Sequence, residues 1–322
     1  MKKILLSSLA ALTTLASFGP ASAQSYPSKT VRIIAPYSAG GAVDLMARHL
    51  CERFAQTLGQ PCVVENRTGA GGSIGMDAAA KAEPDGHTLL VVPNNVAIIP
   101  FMMSKVPYDT LKDLSPIGLI AGTPIMVGAH PDIPAKTFAE FIAYVKANSG
   151  KVNFTTCGTA SPQHLAGELL ALEAGFKWTH VPYKGCADAM TAVLGNTVPV
   201  FISTVAHFNP QIKAGKLRGY AVLSPTKSSF APDYPTVRDS GYPNMQFDLW
   251  FGLMSSSKVP ASIQSRLNAE LNRALQTQEL RDKLAVQFYE PLGGTPERFA
   301  AAIKADMDRY SRAIREAGIK PE

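Results

Sequence analysis

Four segments of this 322-residue chain place glycine and short polar residues where a strand pattern gives way to a helix pattern. They are Tyr37-Ser38-Ala39-Gly40-Gly41, Gly69-Ala70-Gly71-Gly72, Gly158-Thr159-Ala160-Ser161 and Tyr183-Lys184-Gly185-Cys186. A helix N-terminus carries unpaired N–H groups and about half a positive charge, so it binds anions without a cationic side chain. Glycine lets the backbone approach a ligand closely. Gly40-Gly41 and Gly71-Gly72 are therefore a candidate carboxylate cradle. Ser161, Thr159 and His164 add hydroxyl and imidazole groups at a helix-opening turn, with Tyr183 and Lys184 in the companion loop. A dicarboxylate could bridge the two pairs of loops, one acid group on each. Asp44, just inside the first helix, suits either a first-turn dipole partner or a selector for or against a ligand amine.

Other chemistries fit less well. Gly71-Gly72-Ser73-Ile74-Gly75 matches the G-x-S-x-G nucleophile elbow, but that motif needs a strand running directly into the serine. Residues 66–70 read instead as a loop, and the last histidine is His207. A secreted serine hydrolase using Ser73 is the alternative function. His164 and Glu168 stand at i, i+4 without a third metal ligand, and the Gly40-Gly41 loop lacks both the dinucleotide spacing and the P-loop lysine. No metal or cofactor is expected. Packing is the default reading for Trp250 and Phe251.

The elements that must position these loops alternate. Strand patterns at 31–35, 61–65 and 88–92 are separated by helix patterns at 43–58 and 72–82. The grammar restarts with a capping box, Thr137 and Glu140, opening a helix over 138–147. A strand at 152–155 leads to Ser161-Pro162, an N-cap followed by proline at the first helical position. Strands at 178–181, 199–202 and 218–223 follow, with a helix at about 187–194 between the first two. The tail is helical over 261–277 and 296–317. Alternation of this kind predicts α/β architecture with mostly parallel sheets, and ligands in such sheets sit beyond the carboxyl ends of strands. Two lobes sharing one cleft is the expected arrangement.

Composition sets the outer limits. Hydrophobic residues make up 46% and charged residues 17% of the chain, enough for a core and too apolar for disorder. The formal charge is +6, of which Lys2 and Lys3 belong to an N-terminal segment. The remaining basic residues are scattered singly, which argues against nucleic-acid binding. Residues 1–23 read as a cleaved signal peptide: a charged start, a short apolar stretch and the small-residue site Ala21-Ser22-Ala23. Export to the periplasm makes disulfides the expected use of the four cysteines. Three connectivities exist; the favoured one joins Cys51 to Cys62 and Cys157 to Cys186.

Segments at 36–44 (PYSAGGAVD), 65–75 (ENRTGAGGSIG), 107–118 (PYDTLKDLSPIG), 161–168 (SPQHLAGE), 180–185 (HVPYKG) and 250–253 (WFGL) occur in this order. Together they resemble the Bug family, the extracytoplasmic receptors of tripartite tricarboxylate transporters. The resemblance implies a type II periplasmic-binding-protein fold, two α/β lobes with mixed sheets joined by two crossing strands. It places lobe 1 at 24–124 plus 249–322 and lobe 2 at 125–248, with crossings near Thr123-Pro124 and Leu249-Trp250. It implies that Tyr37 to Gly41 and Ala70 to Gly72 hold one ligand carboxylate, largely through backbone groups. Gly158 to His164 and Tyr183 to Gly185 would contribute the rest. Many relatives carry phenylalanine in place of Tyr37, proline in place of Asp188 and an acidic residue in the segment Ser203-Thr204-Val205-Ala206-His207. Thr204 and its neighbours are thus expected to face the variable end of the ligand. The implied role is a non-catalytic, monomeric receptor delivering a small organic carboxylate to membrane permease subunits, with a sensor kinase as the other partner considered.

Overall fold

The computed structural model describes residues 26–319 apart from 159, 160, 184, 225, 246 and 317. The signal-peptide reading of 1–23 therefore lies outside the described residues, as do Thr159 and Lys184.

The chain opens as β1 (Val31–Ala35), α1 (Ala42–Leu58), β2 (Cys62–Asn66), α2 (Ser73–Ala80), β3 (Thr88–Pro93) and the short α3 (Ile99–Met102). β1 lies between β2 and β3 and runs parallel to both. Every residue of β3 is buried, as a strand covered on both faces must be. A sixteen-residue strand, β4 (Leu114–Ala129), follows. Then come α4 (Phe138–Ala147), β5 (Asn153–Thr155), α5 (Pro162–Ala174), β6 (Thr179–Val181), α6 (Cys186–Leu194), β7 (Val200–Thr204), α7 (Val205–Lys213) and β8 (Arg218–Val222). The chain ends with β9 (Asp248–Ser256), α8 (Ala261–Gln276), α9 (Gln278–Val286), β10 (Glu290–Gly293) and α10 (Pro296–Glu316).

β4 belongs to two sheets. Its residues Leu114 to Pro124 pair antiparallel with β9, down to Pro124 opposite Asp248. From Ile125 onward it pairs with β7 and β8 instead. The partner changes at Pro124, whose missing N–H removes one ladder bond. The returning chain runs alongside: Leu223 donates to the Ile125 carbonyl at 2.7 Å, and Phe247 donates to the Leu223 carbonyl at 2.8 Å. In the second sheet β5 is parallel to both β6 and β7. The result is a two-lobed mixed α/β fold in which each lobe presents the carboxyl ends of parallel strands.

The capping signals in the sequence form as expected. Thr137 Oγ1 accepts from the Glu140 N–H at 3.2 Å, and Ser161 Oγ accepts from the His164 N–H at 3.2 Å. The residue patterns alone did not show β4, β9 or α7; only the family resemblance placed crossing strands at Thr123-Pro124 and Leu249-Trp250, within β4 and β9. Pro116, Gly118, Gly122 and Pro124 interrupt any strand pattern in β4, and Pro210 lies inside α7. α10 buries Phe299, Ile303, Tyr310 and Ile314 as one stripe and packs on β4. Asp306 within that stripe accepts from Trp250 Nε1 at 2.7 Å and from the Tyr310 hydroxyl at 3.0 Å. Trp250 is thereby fixed on the face of β9 away from Leu249 and Phe251, since successive strand residues point to opposite sides.

Both disulfides are present, Cys51–Cys62 with Cα atoms 5.2 Å apart and Cys157–Cys186 with Cα atoms 4.1 Å apart. The first ties α1 to the start of β2. Replacing Cys51 and Cys62 together by serine is expected to lower stability by about 3 kcal/mol through loss of loop restriction in the unfolded chain. Urea unfolding of both proteins under oxidising conditions measures it.

Candidate functional site

The loop after β1 is held by a buried carboxylate. Asp44 is 1% exposed, and its Oδ2 accepts from the Gly40 N–H at 2.9 Å and from Arg48 Nε at 2.8 Å. Its Oδ1 accepts from Asn66 Nδ2 at 2.9 Å, and the same amide donates to the Tyr37 carbonyl at 3.0 Å. Burial alone would raise the Asp44 pKa; the hydrogen bonds from Arg48, Gly40 and Asn66 outweigh it and hold the carboxyl below its ordinary range. Asp44 is a fastener of the loop. Both of its oxygens accept from the protein's own donors.

The second loop is locked to the first. The Tyr37 hydroxyl donates to the Gly71 carbonyl at 2.8 Å and accepts from Asn95 Nδ2, which also reaches the Gly71 carbonyl at 3.1 Å. Gly72, with φ +101°, lies beneath the Tyr37 ring; a Cβ there would approach the hydroxyl oxygen to 2.9 Å. Only glycine combines that conformation with that contact. Ala70 also has positive φ, 46°.

A cavity of about 450 Å³ opens between the lobes, within the range of small-molecule sites. Tyr37, Gly41 and Gly71 bring the two first-lobe loops to it, and Ser161 brings the start of α5 from the second lobe. The N-terminus of α1 has no side-chain cap, and its first residues, Ala42 and Val43, line the cavity. The remaining walls are Pro93, Asn95, Pro162, Gln163, Leu249 and Phe251. Asn95 and Gln163 were not singled out in the sequence. The Asn94-Asn95 break in an apolar run was visible, but only the fold brings it to Tyr37.

Other candidate residues are not part of this lining. Ser38, Ala39, Gly40, Ala70 and Gly72 shape the first-lobe loops without lining the cavity. The His164 ring stacks on His180 with centroids 3.8 Å apart. His180 is pushed down to about 3 by burial and by His164, so it is neutral at pH 7, and its Nε2 lies 2.9 Å from Thr156 Oγ1. Tyr183 is half-buried against the second-lobe core; Gly158 and Gly185 sit in the loops joined by Cys157–Cys186. Thr204 Oγ1 and Ser203 Oγ lie 3.1 Å and 2.8 Å from His207 Nδ1, at the end of β7. Phe251 faces the cleft while Trp250 packs, so the packing default holds for one of the pair.

Ser73 is 2% exposed and partners Tyr108. A buried serine of this kind offers no nucleophile to a substrate, and the hydrolase alternative has no support.

Two α/β lobes with βα loops facing one cleft define a solute-binding protein. Residues 46–319 match the tripartite tricarboxylate transporter family receptor, and the chain belongs to that family. It is 34% identical over 311 residues to Protein BugT of Bordetella pertussis, covering 96% of this chain and 95% of that one. Among solved structures it resembles periplasmic binding protein BugD, with TM-score 0.73, 31% identity, and coverage of 92% of this chain and 100% of that one. A Rhodopseudomonas palustris protein with adipate gives TM-score 0.77 at 26% identity, covering 92% and 100%. MatC from the same organism, with bound malate, gives 0.70 at 29% identity, covering 90% and 100%. The family is periplasmic, and no described helix is long and apolar enough to cross a membrane.

Asp44→Ala is expected to lower stability by about 2 kcal/mol at pH 7, because three donors lose their acceptor. The folded-state pKa is depressed, so this stabilisation is complete above the ordinary aspartate range and lost as pH falls through the folded value. Urea unfolding of both proteins should therefore give a difference at pH 7 that shrinks towards pH 2.

Proposed function

We propose that this protein is a non-catalytic periplasmic receptor that closes its two lobes on a small organic carboxylate and delivers it to the permease subunits of a tripartite tricarboxylate transporter. The observation that carries this reading is the meeting, on one cavity, of the uncapped start of α1, the Tyr37–Gly71–Asn95 cluster and the start of α5. The unpaired N–H groups at the start of α1 neutralise an anion there with peptide dipoles, beside a loop that the Tyr37–Gly71–Asn95 hydrogen bonds hold in place. The adipate and malate in the similar R. palustris structures support a carboxylate as the guest. We assign the lobes to residues 24–124 plus 249–322 and 125–248, hinged where β4 changes partner. The receptor acts as a monomer, since each chain carries both halves of its cleft. Ligand that touches both lobes shifts the population towards the closed state; ligand that touches one shifts nothing.

Thermal unfolding with and without adipate or malate tests this. At 100 times the dissociation constant, a bound ligand adds about 2.7 kcal/mol of stability. Gly72→Val should abolish that gain while the protein still unfolds cooperatively, because a β-branched residue at that φ displaces Tyr37. An unchanged ligand response in the variant would show that the cleft is not the binding site.

A further inference from the structure

The walls of the cavity say more than that an anion binds. Among its described residues there is no charged side chain. Its middle is apolar: Val43 and Pro93 from the first lobe, Leu249 and Phe251 from the crossing strand, and Pro162 from the second lobe. The carboxylate nearest to the cradle in sequence, Asp44, is already occupied by Gly40, Arg48 and Asn66. Among the described lining residues no acidic group is left to receive a ligand ammonium. Against those same residues a third carboxylate would be desolvated without a cationic partner, which is costly.

Gln163 stands apart from these residues. It lies in the first turn of α5, is only 7% exposed and lines the cavity. Its side-chain amide makes no hydrogen bond to another described residue, although the residue is more than nine-tenths buried. Buried polar groups are ordinarily satisfied, so an unpaired amide facing a cavity is a group waiting for a ligand atom. It stands on the lobe opposite the Tyr37–Gly71–Asn95 cluster, across the apolar middle.

We infer that the cleft selects carboxylates with an apolar body whose far acid group is read by the Gln163 amide, and that it rejects ammonium-bearing and triply charged acids. This rests on the carboxylate-receptor reading above. One carboxylate takes the start of α1, the apolar body packs on Leu249 and Phe251, and the second carboxylate accepts from Gln163 Nε2 near the start of α5. A site built to hydrogen-bond one end of a ligand discriminates strongly against a ligand that leaves that bond unmade.

Isothermal titration of the full mature chain with adipate, its monoamide, aspartate and citrate provides the test. Adipate should bind at least tenfold more tightly than aspartate or citrate. Gln163→Glu should weaken adipate at least tenfold by setting two carboxylates together, while the monoamide, whose neutral end can donate to the new carboxylate, becomes the preferred ligand. That inversion distinguishes ligand reading from a structural role, and the melting temperature of each unliganded protein shows that the variant folds. Aspartate or citrate binding as tightly as adipate overturns the selection rule while leaving a carboxylate receptor intact. An unchanged preference for adipate over the monoamide in Gln163→Glu overturns the role of Gln163. Binding of none of the four overturns the receptor reading itself.

Discussion

A carboxylate leaves water only for donors that are already in place when it arrives. In the proposed binding mode that demand falls on backbone N–H groups, which cannot swing towards a ligand as a lysine can, so the loops that carry them must be fixed. Asp44 fixes the first loop through Gly40 and Asn66. Tyr37 fixes the second through Gly71. The glycines give the backbone its path, and the side chains around them take away its freedom. Preorganisation of this kind reduces the ordering cost of binding.

The second requirement is that donors from opposite sides meet. β4 supplies the connection by serving two sheets, with its partner changing at Pro124. β9 lies against the same crossing and divides its side chains between two environments. Leu249 and Phe251 face the cleft, whereas Trp250 is anchored to Asp306 on α10.

Much of this was legible in the sequence, for local reasons. The helix starts at Thr137 and Ser161 were readable because a cap is a short-range pattern of hydroxyl, proline and acid. The disulfide partners were favoured from the segments that carry the cysteines, the first helix with the next strand and two glycine-rich loops with each other. β4 was not readable from its own pattern, because its prolines and glycines obscure the strand and its partners lie far away in sequence; only the family resemblance put a crossing strand at Thr123-Pro124. The cleft was legible only in part. The glycine loops announced an anion, but Asn95 and Gln163 reached the cavity through tertiary structure, and neither amide carries a local signature. His164, prominent as a histidine at a helix start, stacks its ring on His180.

The central claim is that neutral donors from both lobes hold the ligand, and a crystal structure with adipate tests it most directly. The account predicts one carboxylate within about 3.2 Å of the first N–H groups of α1 and the other within about 3.2 Å of Gln163 Nε2. A ligand lying outside the cleft, or with its carboxylates paired to lysine or arginine side chains, would contradict it.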